Sequence, residues 1–93
     1  MTVPHKVHRD RSPMSPKQIQ FLLDELCVDL GFCLPPDAQA ELVKHPPPDV
    51  EAFTDAVIRA EGLDPHASIP VRLRRDVKAR VAKHFVAAEN AVS

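Results

Sequence analysis

Tryptophan and tyrosine are absent from this chain of 93 residues, and glycine and cysteine occur only twice each. Four phenylalanines make up the whole aromatic content, so the apolar residues are aliphatic and the composition is poor in strand formers. With only Gly31 and Gly62, no glycine-rich phosphate loop can form, and each glycine is better used as a helix stop. No apolar run approaches the roughly 18 residues that span a bilayer, and the N-terminus lacks the apolar core of a secretory leader. The expectation is therefore a cytoplasmic protein with no membrane contact. In that setting Cys27 and Cys33, each among apolar neighbours, are expected to be reduced, partly buried thiols rather than a disulfide.

Charge is present in quantity and is sorted. Residues 1–16 carry Lys6, Arg9 and Arg11 against Asp10, net +2; residues 17–66 carry three basic against ten acidic side chains, net −7; residues 67–93 carry six against two, net +4. The total of −1 hides an acidic body with a basic C-terminal segment. Such polarity serves an internal salt-bridge seam, a charged partner, or both.

The length suits one domain. Residues 1–14, with Pro4, Pro13 and no apolar period, are predicted to form a flexible basic tail. Residues 15–93 are predicted to form a single helical domain. Ser15, Pro16 and Gln18 spell a capping box with proline at the first helical position, opening a helix over 15–30 that Gly31 closes. At 100° per residue Ile19, Leu22, Leu23, Leu26, Cys27 and Leu30 share its core face, while Phe21 and Val28 fall on the other side beside Asp24 and Glu25. Phe32 and Leu34 are placed to plug the core. A short helix is expected over 36–44, stopped by Pro46, Pro47 and Pro48, which read as an extended spacer. Asp49 caps a third helix over 49–61, with Val50, Phe53, Ala56, Val57 and Ala60 on one arc and Gly62 at its end. Asp55 and Arg59 are spaced to pair, whereas Glu51 and Asp55 repel, as though presented to something basic. A turn follows Leu63, with one further helical turn expected through Ser68. The last helix, over 69–88, carries Leu73, Val77, Val81, Phe85 and Ala88 on its stripe, with His84 read as a half-buried, satisfied histidine. Asp76 lies four residues from both Arg72 and Arg80, so these are expected to neutralise one another, leaving Arg74, Arg75 and Lys78 without a partner on their own helix.

The constellations that could carry chemistry are weak. His5 and His8 form an H-x-x-H pair in the tail without a scaffold, and Cys27, Cys33, His45 and His66 lack zinc-site spacing. No nucleophile is tied by spacing to a base. No catalytic residue, metal ligand or cofactor site is assigned, and the chain is read as not an enzyme.

Three segments carry a resemblance: Leu30-Gly31-Phe32-Cys33-Leu34-Pro35-Pro36; then Pro47-Pro48-Asp49-Val50 with Phe53-Thr54-Asp55-Ala56-Val57; then Ala60-Glu61-Gly62-Leu63-Asp64-Pro65. Over roughly residues 19–86 the chain resembles a set of short uncharacterised bacterial proteins of actinobacterial type. The resemblance implies no activity and no functional residue.

The architecture expected is all-α, a compact bundle of about four helices in which the first, third and fourth supply most of the core. The function expected is that of a small protein-interaction module of immunity, antitoxin, adaptor or inhibitor type, acting on a partner protein or on a second copy through charged and apolar helix faces. Phe21, Asp24, Glu25, Val28, Arg74, Arg75 and Lys78 are its candidate partner-binding residues. The alternative is a nucleic-acid-binding or regulatory protein using the basic C-terminal helix and the N-terminal tail. Against it stand a sequence pI near 6.5 and the acidic body.

Overall fold

A computed structural model describes residues 14–63 and 69–92. Four α-helices follow one another: α1 (Pro16–Leu30), α2 (Pro36–Lys44), α3 (Val50–Ala60) and α4 (Val71–Val92). No strand occurs among the described residues. The fold is thus the expected all-α arrangement of four helices. None of the described helices is long and apolar enough to cross a membrane.

The helix ends are set by local chemistry. The Ser15 side chain accepts from the Gln18 amide at 3.2 Å while the Gln18 side chain accepts from the Ser15 amide at 2.7 Å, which completes the capping box. At the other end of α1, Gly31 takes a left-handed conformation, φ 69°. Its amide donates to Cys27 O, and the Phe32 amide donates back to Leu26 O, a Schellman closure that satisfies the last carbonyls. The chain therefore doubles back over the end of α1, burying Phe32 and Leu34 as the plug. The Asp49 side chain caps α3 by accepting from the Ala52 amide at 2.7 Å. Gly62, φ 85°, ends it.

Helix α4 is the spine, packing against α3 on one side and α1 on the other, while α2 lies on α1. Asp29 meets Arg80 and Glu25 meets His84, so α1 runs antiparallel to α4. Glu51 meets Lys78 and Asp55 meets Arg74, so α3 does too. The core is built from Ile19, Leu22, Leu23 and Leu26 of α1, Leu42 of α2, Phe53, Val57 and Ile58 of α3, and Val77, Val81, Phe85 and Ala88 of α4. Phe53 and Phe85 meet edge to face with ring centroids 5.8 Å apart.

Several expectations require correction. Met14, assigned to the tail, is buried in the core; the rest of that tail, residues 1–13, lies outside the described residues, as does the turn expected through Ser68. Helix α4 starts after Pro70 and continues four residues beyond the expected end at 88. Leu73, placed centrally on the α4 stripe, is only partly buried, while Thr54 and Ile58 of α3, absent from the expected arc, are fully buried. The buried arc of α3, Phe53, Thr54, Val57 and Ile58, is thus wider than the expected one, and Leu73 packs only at the margin of the core.

The cysteines depart furthest from expectation. Cys27 and Cys33 form a disulfide, with Cα atoms 4.2 Å apart. Cys27 is partly buried, as expected, but Cys33 is exposed and neither is a free thiol. The left-handed Gly31 is the reason, since reversing the chain at that residue returns Cys33 to the last turn of the helix that holds Cys27.

Candidate interaction surface

Two ion-pair seams flank α4. On the α3 side, one Nη of Arg74 donates to Glu51 and to Asp55, 2.8 Å each, and Lys78 Nζ reaches Glu51 at 2.8 Å. The Glu51–Asp55 repulsion is thus answered from within the chain, and the basic object presented to α3 is α4. Two cations at its side hold the Glu51 carboxyl down at about 2, with the Lys78 bond the largest influence and that of Arg74 next. The carboxylates in turn raise Arg74 above its ordinary value.

On the α1 side, Glu25 is the hub. Its carboxylate meets His84 Nε2 at 2.9 Å, Arg80 Nη1 at 2.9 Å and Lys83 Nζ at 3.2 Å, and Arg80 also donates to Asp29 at 2.6 Å. The His84 bond is the largest influence lowering the Glu25 carboxyl to about 2, aided by Lys83 and Arg80 against the opposing effect of burial. Arg80 is raised by Asp29 first and by Glu25 second. His84 is half-buried against this carboxylate, the satisfied position expected of it. Asp76 does not hold Arg80, because Arg80 extends across the interface to α1 instead.

The seams redistribute the candidate partner-binding residues. Glu25, Arg74 and Lys78 are joined in pairs between helices of the same chain. Arg75 is exposed and makes no ion pair among the described residues. The sequence could not foresee this, because the partners lie 19 to 59 positions away.

Phe21, Asp24 and Val28 remain together on the outer face of α1, with Phe21 69% and Val28 80% exposed. They are separated by about two helical turns, roughly 10 Å along the axis, and the 700° of rotation between them returns Val28 to within about 20° of Phe21. These two side chains and Asp24 line an open groove of about 520 Å³, whose remaining lining is the charged seam of Glu25, Asp29, Arg80 and Lys83. Asp24 makes no ion pair among the described residues and accepts only a 3.4 Å hydrogen bond from Gln20 Nε2. Sequence periodicity did not single out Val71 and Val86, which are exposed as well. Val86 belongs to a second groove, of about 460 Å³, beside the start of α3, where Pro48 and Phe85 contribute apolar surface.

No cluster of three or more His, Cys, Asp or Glu able to hold a metal ion occurs among the described residues. No known protein family, curated protein or solved structure matches the chain.

Proposed function

We infer that this chain is a small, non-enzymatic protein-interaction module that docks a partner protein on the outer face of α1. One observation carries the reading: Phe21 and Val28 stand exposed two turns apart on one face of α1 and line a single groove, although Ile19, Leu22, Leu23 and Leu26 of the same helix are buried. A monomer gains nothing in water from an aromatic and a branched aliphatic residue placed a heptad apart, whereas an interface gains a ready anchor pair. The adjoining ion-pair seam supplies the polar rim such interfaces carry.

The competing reading, nucleic-acid binding through α4 and the N-terminal tail, has less support. Four of the six basic residues of α4, namely Arg74, Lys78, Arg80 and Lys83, are paired with carboxylates of α1 and α3. Phosphate contacts would compete with those pairs, and on α4 they leave only Arg72 and Arg75, a thin electrostatic footprint even beside the three basic residues of the tail. A cytoplasmic setting is the part of the reading that the Cys27–Cys33 disulfide argues against, since reducing compartments hold such pairs as thiols.

Phe21→Ser tests the proposal. The side chain is exposed, so the variant should melt within about 2 °C of the parent, yet it should lose the protein partner recovered with the parent from nuclease-treated lysate of the native cells. Full retention of that partner, or recovery of nucleic acid alone, would remove the α1 face from consideration.

A further inference from the structure

We propose that the partner segment recognised by the α1 face is a basic amphipathic helix, one that presents two apolar side chains a heptad apart with lysine or arginine between them. The inference rests on the interaction reading given above and adds the chemistry of the partner. Its argument is the state of three carboxylates. Glu25 and Asp29 are clamped by Arg80, Lys83 and His84, so their charge is already answered. Asp24 lies between Phe21 and Val28 on the same stripe and makes no ion pair among the described residues. The groove therefore offers apolar, anionic and apolar positions in sequence over roughly 10 Å, and a helix laid along it meets them with residues spaced i, i+3 or i+4, and i+7.

Charge also decides against a second copy of this chain as the occupant. Antiparallel pairing of α1 with itself that sets Phe21 over Val28 brings Asp24 against Glu25 of the other copy, and parallel pairing brings Asp24 against Asp24. Neither register offers Asp24 a cation: the first gives it a carboxylate whose cations are already engaged and the second another Asp24, so a homodimer leaves the charge of Asp24 unanswered. A cation at that point in a different protein complements the stripe. Engagement of Asp24 would also displace only the long Gln20 bond, leaving both seams and hence the fold untouched.

A charge swap with a defined probe tests this. The probe is a synthetic helical peptide about five turns long, with leucines a heptad apart and two arginines midway between them; the control carries glutamates at the arginine positions. By fluorescence anisotropy at low salt, the parent protein should bind the arginine peptide at least about tenfold more tightly than the glutamate peptide, as expected where a close charge pair is made or reversed. Asp24→Lys should invert that order, and Asp24→Asn should abolish it while circular dichroism shows both variants folded. Phe21→Ser should weaken both peptides. If Phe21→Ser leaves the arginine peptide bound as before, the interaction face itself is wrong. If Phe21→Ser abolishes binding while the Asp24 variants keep the parent's preference, the face stands and the basic partner does not. Binding of neither peptide, or a dimer of the parent in sedimentation that Phe21→Ser dissolves, overturns the inference as well.

Discussion

Glu25→Gln removes the charge on which three side chains, His84, Arg80 and Lys83, converge while keeping the shape of the residue. The Glu25 carboxyl is lowered from its ordinary 4.5 to about 2, a difference of roughly 3 kcal/mol between its charged and neutral forms at 1.36 kcal/mol per unit. That is a ceiling. The carboxylate is 19% exposed and Lys83 reaches it from solvent, so screening reduces the expected loss to about 1–2 kcal/mol. Arg80 keeps Asp29 in the variant, which further limits the damage. At about 4–8 °C per kcal/mol for a domain of this size, the melting temperature near pH 7 should fall by about 5–15 °C. The pH dependence has a definite sign. A carboxyl whose folded-state value is depressed contributes stability that is present above its unfolded value near 4.5 and is lost as the pH falls through that value toward about 2. Thermal melts followed by circular dichroism should therefore show parent and variant well separated at pH 7 and converging between about pH 5 and pH 2. His84→Gln should raise the Glu25 titration, because the bond from that ring is the largest influence lowering it. A Glu25→Gln protein that melts within about 2 °C of the parent at pH 7, or a gap that stays constant on acidification, would refute the role of Glu25 as the hub of this seam.

Leu26→Ala and Phe53→Ala remove fully buried side chains and should cost about 2–5 kcal/mol each, whereas Leu73→Ala, only partly buried, should cost less than half as much; denaturant midpoints order the three. Reducing the Cys27–Cys33 bond reopens a short loop, for which the chain-entropy relation gives about 2 kcal/mol, so the reduced protein and the Cys27→Ser/Cys33→Ser double variant should melt about 10 °C below the oxidised parent. Equal melting with and without reductant would show that the bond does not constrain the chain. The Thr54 hydroxyl is buried with no hydrogen-bond partner among the described residues, so Thr54→Val should leave stability unchanged or raise it by about 1 kcal/mol, and a loss above about 0.5 kcal/mol in chemical denaturation would contradict the account.

What could be read from the sequence was local. The Ser15 capping box, the Asp49 cap and the two helix-ending glycines act within three or four residues, and the structure places each in its expected role. The α1 stripe from Ile19 to Leu26 and the α4 stripe from Val77 to Ala88 are equally local, because helical rotation alone decides which side chains share a face. The same geometry put Phe21 and Val28 off the core face, but that nothing in the described residues covers them was decided only by packing. The second buried flank of α3, at Thr54 and Ile58, escaped periodicity because one apolar arc does not reveal how many neighbours a helix will have.

The sequence alone therefore determined four helices, the caps of α1 and α3, most of the core and the sorting of charge into an acidic body and a basic final helix. Only tertiary structure decided what that sorting does. Laying α4 antiparallel between α1 and α3 sets Arg74 and Lys78 against Glu51 and Asp55, and Arg80, Lys83 and His84 against Glu25 and Asp29. Four of the six basic residues of α4 and four of the ten carboxylates of residues 17–66 are thereby engaged inside the molecule. The Cys27–Cys33 bond likewise required the reversal at Gly31, which a count of cysteines does not contain. Charges and thiols act across space, and the distances that join them exist only after the helices have packed; what packing leaves over on α1 is Asp24, between two exposed apolar side chains.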